Sequence, residues 1–320
     1  MEPTLPVVNA EKYDDAALGR AIGEAARGVG FFYLTGHGIN SALISAVFDG
    51  AHRFFALPVA EKQRQSIRLS PHNRGYVGLR GESLDPARGA DNKEAYNVGL
   101  ELPPDDPGVL AGEPFRGVNL WPDVPGWRET MLAYFDAVWA LGRRLHRGIA
   151  FDLGLASDFF EDKFDRPMAT LRLLHYPANE GGTAAAPLGA GEHTDYGNLT
   201  LLMTDEVAGL EVKRRDGGWI PAPHLPSAFV CNIGDCLMRW TNDVYVSTPH
   251  RVVSRGGRER YSVAFFLDPN PDAEVACLPT CVTPARPALY PPVSAADYLS
   301  SRLDATYAFR QKTLAEPPKL

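Results

Sequence analysis

Two residues near the middle of the chain have the types and the spacing that suit metal binding. His193 and Asp195 stand two positions apart in the stretch GEHTDYGNLTLLMTDE (191–206), ahead of a run of apolar residues and threonines. On a β-strand, side chains two positions apart point to the same face. The pair can therefore offer an imidazole nitrogen and a carboxylate oxygen to one point, although a single His-x-Asp pair carries little weight alone.

A third candidate ligand and an anion-binding pair follow in a later β-like segment. His250 lies 55 residues after Asp195, in the stretch STPHRVVSRGGRERYSVAFFLDP. Two histidines and one carboxylate form the facial triad that binds Fe(II) and leaves positions open for substrate and O2. Ten residues later, Arg260 and Ser262 again share one strand face. Because a buried arginine is costly unless an anion meets it, the pair predicts a carboxylate ligand, such as 2-oxoglutarate, between Arg260 and the iron.

Elements of two kinds must position these residues. Helical patterns dominate the first half of the chain, over 14–28, 41–57 and 127–155. The apolar run LPVV precedes the first helix, and a buried strand is predicted within 29–39. From residue 168 onward, β-rich runs alternate with turns, which is typical of an antiparallel barrel or a double-sheet sandwich. The runs are MATLRLLHY, NLTLLM, GLEVKR, GGWIPA, AFVCNI, CLMRW, YVSTPHRVVS and RYSVAFFLD.

Composition and charge narrow the classes of function. The 320 residues are 45% apolar and 22% charged, as in an ordinary globular protein. The net charge of −7 arises from interleaved acidic and basic residues, so we expect no nucleic-acid or membrane partner. The first residues, MEPTLPVVNAEKYDD, lack the features of a signal peptide. We therefore expect a cytoplasmic protein, and its oligomeric state stays open.

The four cysteines do not favour a structural zinc site. They stand at positions 231, 236, 277 and 281, without CxxC spacing and without a histidine close by. Separate thiols in a reducing cytosol account for this pattern better than zinc ligands do.

Taken in order, the segments resemble the Fe(II)/2-oxoglutarate-dependent dioxygenases of the isopenicillin N synthase-like family. The resemblance extends over nearly the whole chain, through LPVVN, GFFYLTGHGI, RGYVGL, DNKEAYNVG, LRLLHYP, HTDYGNLTLL, GLEV, FVCNIGD, TNDVYVSTPHRV and RYSVAFF. It implies a mainly β fold with flanking helices, in which a double-stranded β-helix (jelly-roll) core follows a helical N-terminal region. It also implies one compact unit over 1–320, with an N-terminal dioxygenase-type region (5–110), an oxygenase core (165–270) and a C-terminal helix (293–312).

The resemblance also assigns roles to particular residues. The implied iron ligands are His193, Asp195 and His250. Arg260, Ser262 and the hydroxyl of Tyr176 would bind the distal carboxylate of 2-oxoglutarate. The implied activity couples oxidative decarboxylation of 2-oxoglutarate by O2 to the oxidation of a small molecule. Hydroxylation is the first expectation, with desaturation or ring closure as alternatives.

Two other functions stay open on the sequence alone. One is a 2-oxoglutarate-independent Fe(II) oxidase of the isopenicillin N synthase type, in which Arg260 and Ser262 would receive a substrate carboxylate instead. Tyr176 favours the 2-oxoglutarate alternative. The other is a catalytically silent module that binds a small molecule or a metal. The intact set of ligand residues argues against this alternative.

Residues close to the implied ligands receive less specific predictions. Asn198 and Thr200 continue the ligand-bearing face, and either contact the co-substrate or take a supporting or core role. Asn232 and Asp235, in the sequence NIGD, are predicted to shape a turn. Tyr196 is predicted to touch the pocket because it directly follows a ligand.

The substrate itself is not identified by these patterns. Variable segments around the barrel mouth would hold it, and here these are 72–100, the Pro/Gly/Ala-rich loop 177–192 and the C-terminal helix. Phe266 could form an apolar wall, with core packing as the alternative. His37 is predicted to be structural, and His175 is predicted to face the side of the strand opposite Tyr176 and not to be a metal ligand. Polar candidates for substrate contact, each of which could instead be structural, are Arg74, Tyr76, Arg80 and Asn97.

Overall fold

The computed structural model describes residues 5–85, 89–178, 188–253 and 257–306. The helices in these ranges are α1 (Asp15–Gly28), α2 (Ser41–Phe55), α3 (Val59–Gln63), α4 (Pro107–Leu110), α5 (Trp127–Asp152), α6 (Asp235–Trp240) and α7 (Ala295–Thr306). The strands are β1 (Val7–Asn9), β2 (Phe31–Thr35), β3 (Gly75–Val77), β4 (Glu94–Gly99), β5 (Thr170–Tyr176), β6 (Leu188–His193), β7 (Leu199–Thr204), β8 (Leu210–Lys213), β9 (Trp219–Pro221), β10 (Phe229–Ile233), β11 (His250–Val253), β12 (Arg260–Leu267), β13 (Glu274–Val275) and β14 (Val293–Ser294). No helix in these ranges combines the length and the apolar character needed to cross a lipid bilayer.

The helices of the first half form where the apolar spacing predicts them. Asp14 caps α1, because its side chain accepts a hydrogen bond from the Ala17 amide at 2.7 Å. α1 packs along α5, and the two backbones approach closely. A Cβ on Gly19 would lie 1.9 Å from the carbonyl oxygen of Gly148, so only glycine fits at this crossing.

Two sheets build the β core. The larger has the strand order β1-β2-β10-β7-β12-β5-β4-β3, and the smaller has the order β6-β11-β8-β9. One apolar cluster packs α1, α2 and α5 against the outer face of the large sheet. A second cluster joins Phe31 and Leu174 of its inner face to Val212 and Val252 of the small sheet. This arrangement confirms the predicted jelly-roll core with flanking helices.

The register of the large sheet decides which side chains meet on its inner face. β12 pairs antiparallel with β5 on one side and with β7 on the other. Alternate residues of the three strands therefore form cross-strand rows. The rows are Tyr176–Arg260, Leu174–Ser262–Thr204, Arg172–Ala264–Leu202 and Thr170–Phe266–Thr200.

Two segments predicted to be strands differ in the structure. The run CLMRW belongs to α6, not to a strand. The amides of Asp235 and Cys236, at the start of this helix, donate to the carbonyl oxygens of Asp195 and Gly197, and these tertiary contacts favour a helical turn. In YVSTPHRVVS the described strand is His250–Val253, and Ser254 lies outside the described residues. Proline at 249 has no amide hydrogen to donate to a strand ladder, so the preceding half has irregular backbone.

Two further predictions fall partly outside the described residues. The loop predicted over 177–192 ends earlier than expected, because β6 already begins at residue 188. Residues 179–187 of that loop lie outside the described part of the chain. The C-terminal helix predicted over 293–312 begins at residue 295 and is described as far as 306.

Candidate metal centre

The three predicted iron ligands lie together at one end of the barrel. His193 ends β6 and His250 begins β11, and the two are direct cross-strand partners. Their ring centroids are 4.3 Å apart. Asp195 follows in the loop after β6, with its Oδ1 3.8 Å from Nε2 of His193 and 3.6 Å from Nε2 of His250. One donor atom from each residue lies within 4.8 Å of the other two.

Backbone carbonyl groups orient the two imidazole rings. Nδ1 of His193 is 2.8 Å from the carbonyl oxygen of Gly191, and Nδ1 of His250 is 3.2 Å from that of Thr248. A carbonyl oxygen only accepts, so Nδ1 of each ring must carry the hydrogen and donate it. Each Nε2 then presents its lone pair toward Asp195, which is the arrangement of a metal-binding imidazole.

Two neutral side chains hold the carboxylate. Thr200 Oγ1 donates to Oδ2 of Asp195 at 2.6 Å, and Asn232 Nδ2 donates to the same oxygen at 2.7 Å. Oδ1 is thus the oxygen that faces the imidazole rings. The supporting role foreseen for Thr200 is confirmed, whereas the turn role predicted for Asn232 is wrong. These two residues are cross-strand partners of β7 and β10, a pairing that the sequence did not indicate.

Burial sets the charge states of this cluster. Burial, followed by the electrostatic influence of the adjacent imidazole, lowers the pKa of His193, which favours its neutral form. Burial acts to raise the pKa of Asp195, but the adjacent histidines and the two hydrogen bonds outweigh it and lower that pKa. Neutral imidazole and ionised carboxylate are the forms that ligate a divalent metal, so the residues fit Fe(II).

A buried cation lies further along the same cavity. Arg260 is 5% exposed, and its Cζ lies 4.9 Å from the ring centroid of Tyr176. Its Nη1 donates to Ser262 Oγ at 3.3 Å, and its Nε donates to the carbonyl oxygen of Val207 at 3.2 Å. No carboxylate of the described residues pairs with this guanidinium. Since a buried arginine requires an anion, the site fits a ligand carboxylate.

One cavity of about 160 Å³ connects the triad with Arg260. A single water needs only about 10–15 Å³, so the space suits an organic ligand. Tyr196 and Phe266 line it, as predicted. Sequence reasoning missed a charged group on its wall, formed by Glu82, Lys93 and Arg172. Arg172 stands four positions before Tyr176 on β5, and this even spacing placed both on one face.

The other polar candidates lie away from the cavity. Four residues were suggested as substrate contacts, and none of them is among the described residues that line the cavity. They are Arg74, Tyr76, Arg80 and Asn97. Tyr76, for example, donates to Glu94 at 2.5 Å. His175 also contacts Glu94, through Nδ1 at 2.8 Å, and its ring stacks on that of Tyr261. His37 packs edge-on against Phe229, which agrees with the structural role predicted for it, and neither histidine belongs to the metal-ligand cluster.

The chain is similar to one family of proteins over nearly its whole length. The family described as "non-haem dioxygenase in morphine synthesis N-terminal" matches residues 5–124. The family described as "2OG-Fe(II) oxygenase superfamily" matches residues 167–269. The 2-oxoglutarate-Fe(II) type oxidoreductase hxnY of Emericella nidulans is 37% identical over 313 residues, which cover 95% of this chain and 90% of that protein.

Two other similar proteins are named for, or were crystallised with, particular small molecules. A homoarginine-6-hydroxylase of Oryza sativa is 40% identical over 265 residues, which cover 81% of this chain and 79% of that protein. A full-length Neurospora crassa protein was crystallised in complex with alpha-KG and thymine. It superposes with a TM-score of 0.83 at 32% identity, covering 94% of this chain and 96% of that one.

Proposed function

The chain belongs to the isopenicillin N synthase-like family of 2-oxoglutarate-Fe(II) oxygenases, and from that premise we propose which of its residues carry the reaction. It is an enzyme that uses Fe(II), 2-oxoglutarate and O2 to oxidise a small molecule. Nε2 of His193, Oδ1 of Asp195 and Nε2 of His250 hold the iron. The convergence of these donor atoms within 4.8 Å of one another carries the assignment.

Arg260, Ser262 and Tyr176 receive the distal carboxylate of 2-oxoglutarate. The support is a buried guanidinium beside a serine hydroxyl and over a tyrosine ring, with no carboxylate partner among the described residues. A fork of guanidinium donors matches a carboxylate in shape and charge. Because the family uses 2-oxoglutarate, we propose Arg260 as the anchor of that co-substrate rather than of the substrate, the role it would have in a 2-oxoglutarate-independent oxidase.

When bound, the metal and 2-oxoglutarate would supply the oxidising power with O2 as the oxidant: one oxygen atom would enter succinate as CO2 leaves, and the other would serve to oxidise a substrate C–H bond. The protein contributes orientation and exclusion of water. Thr200 and Asn232 bind Oδ2 of Asp195 and so keep its Oδ1 turned toward the imidazoles, and the apolar wall around Phe266 shields the cavity. Hydroxylation is the outcome that we favour over desaturation or ring closure, since a relative at 40% identity is named a hydroxylase.

The regions and the setting of the enzyme are part of the proposal. An N-terminal region over 5–110, an oxygenase core over 165–270 and the C-terminal helix that begins at residue 295 act as one unit. The partner is a small molecule, with no nucleic acid and no membrane, which the interleaved charges of the sequence support. A cytoplasmic location is supported by four cysteines that are all free thiols, three of them buried.

Anaerobic titration tests the residue assignment without a known substrate. Fe(II) followed by 2-oxoglutarate should give the visible charge-transfer band of the chelated keto acid. His193→Ala should abolish both iron binding and the band, while the matched control His224→Ala, whose ring contacts Thr204, should retain both. Full iron binding by His193→Ala would refute the triad. If Arg260→Ala saturates the band at the same 2-oxoglutarate concentration as the unaltered protein, Arg260 does not bind the co-substrate.

A further inference from the structure

A second guanidinium lies on the inner face of the barrel, beyond the one that receives 2-oxoglutarate. Arg172 stands on β5, four positions before Tyr176 and therefore on the same face. Its cross-strand partner on β12 is Ala264, whose small side chain leaves space in front of it. Arg172 and Arg260 thus occupy different rows of one cavity wall.

Arg172 belongs to a buried cluster of charges, which we call the Glu82–Lys93–Arg172 cluster. Nη2 of Arg172 donates to both carboxylate oxygens of Glu82, at 2.6 Å each. Nζ of Lys93 lies 3.5 Å from Glu82 and 2.9 Å from Asp91. All three members of the cluster line the cavity, and their side chains are 4–12% exposed.

The position of this cluster indicates a ligand-binding role. A buried ionic cluster contributes little to stability compared with apolar residues of the same volume, because desolvation offsets its attraction. Ligand sites are mostly apolar, with a few convergent polar groups that fix orientation. The remaining wall fits that description, since it includes Leu84, Phe115, Leu299 and Leu303.

The sheet order gives the spacing between the strand that bears Arg172 and the strand that bears Thr200. Thr200, which holds the metal-binding carboxylate, lies on β7, and Arg172 lies on β5, with β12 between them. Two steps of about 4.8 Å place the strands about 10 Å apart. A molecule of one or two rings is comparable in length with this spacing between strands.

We propose that the Glu82–Lys93–Arg172 cluster binds the polar end of the primary substrate, and that this end is an amide-type group with adjacent N–H and C=O. The proposal rests on the proposed function and identifies the substrate class of the same site. The carboxylate of Glu82 accepts the N–H, and the guanidinium of Arg172 donates to the C=O. The oxidised C–H then lies at the opposite end of the molecule, toward the triad.

Charge selects against the two ionic alternatives. A ligand carboxylate would approach Glu82 and Asp91 and would compete with them for the same cations. A ligand ammonium would approach Arg172 and Lys93. A neutral group that both donates and accepts satisfies both kinds of partner without an unpaired charge.

Calorimetry on the anaerobic protein loaded with Fe(II) and 2-oxoglutarate tests the class on the unaltered chain. The ligands are 2-quinolone, N-methyl-2-quinolone and 2-naphthoate, which match in size and differ at the polar edge. We expect 2-quinolone to bind at least about tenfold tighter than the other two, as for one hydrogen bond to a charged group. Tighter binding of 2-naphthoate, or no binding by any of the three while the charge-transfer band is present, would overturn the proposal. Absence of the band itself would instead contradict the proposed function.

Conservative variants then locate the contact. Glu82→Gln and Arg172→Lys should each weaken 2-quinolone binding about 10–100-fold and leave the charge-transfer band unchanged. The control Arg128→Lys alters the exposed pair with Glu101, outside the cavity, and should change neither. If Arg172→Lys removes the band and leaves 2-quinolone binding intact, Arg172 serves the co-substrate and the proposal is wrong.

Discussion

The two hydrogen bonds on Oδ2 of Asp195 should control iron affinity. Thr200→Val removes one hydroxyl and keeps the shape of the side chain, and Asn232→Leu removes the other donor at similar volume. In either variant the carboxylate stays charged but is free to turn Oδ1 away from the two imidazoles. We therefore expect weaker iron binding in a protein that remains folded.

The magnitude follows from the contacts. A hydrogen bond to a charged group contributes about 1.5–3 kcal/mol, and removing a group that orients a metal ligand costs about 10–100-fold in metal affinity. At about 1.4 kcal/mol per factor of ten, the second figure corresponds to about 1.4–2.8 kcal/mol. The two estimates agree, so each variant should raise the Fe(II) dissociation constant about 10–100-fold.

Anaerobic competition with a chelator of known affinity measures this constant. Thr204→Val is the matched control, because Thr204 lies on the same strand and its hydroxyl contacts His224 rather than Asp195. It should bind Fe(II) like the unaltered protein. If Thr200→Val and Thr204→Val have equal dissociation constants, the two hydrogen bonds do not position the ligand and the reasoning fails.

Three other predictions concern the co-substrate, the C-terminal helix and pH. Arg260→Lys should raise the half-saturating 2-oxoglutarate concentration about 10–100-fold and leave Fe(II) affinity unchanged, because lysine keeps the charge but lacks the paired donors of a guanidinium. An equal half-saturating concentration in the variant and the unaltered protein would contradict this prediction. Arg302 of α7 pairs with Asp235 at 2.8 Å, so Arg302→Met should speed amide hydrogen exchange in α7 without altering iron binding. Unchanged exchange rates would show that this ion pair does not stabilise α7. Burial acts to raise the pKa of Glu94, but hydrogen bonds led by that of His175 outweigh it and lower the pKa. The stability from Glu94 is therefore present above its unfolded pKa of 4.5 and is lost as pH falls below it, so Glu94→Gln should flatten the fall in unfolding free energy on acidification.

The sequence predicts the ligands because their positions depend on local geometry. Spacing of two on a strand predicts that Arg260 and Ser262 share one side, and both do lie on β12. The same rule singled out His193 and Asp195, although β6 ends at His193 and Asp195 lies in the loop that follows. The later His250 can be added because the order of the motifs resembles a family. Such local rules also predict the first helices, whose caps and apolar stripes lie within one segment.

Features that depend on pairing between distant segments could not be predicted from local patterns. Asn232 supports Asp195 only because β10 pairs with β7, and no local pattern encodes that register. The run CLMRW has residues suited to a strand, but carbonyl groups of the loop after β6 accept from the first amides of α6 and favour a helix. The even spacing on β5 could have predicted that Arg172 shares a face with Tyr176. Its ion pair with Glu82 could not be predicted in this way, because Glu82 lies 90 residues earlier.

The most direct test of the central claim is an anomalous diffraction map at the iron edge, from crystals prepared anaerobically with Fe(II) and 2-oxoglutarate. The account predicts one iron peak bounded by Nε2 of His193, Oδ1 of Asp195 and Nε2 of His250. It also predicts the distal carboxylate of 2-oxoglutarate on Arg260. Iron bound at other residues, or the distal carboxylate bound at Arg172, would contradict the account.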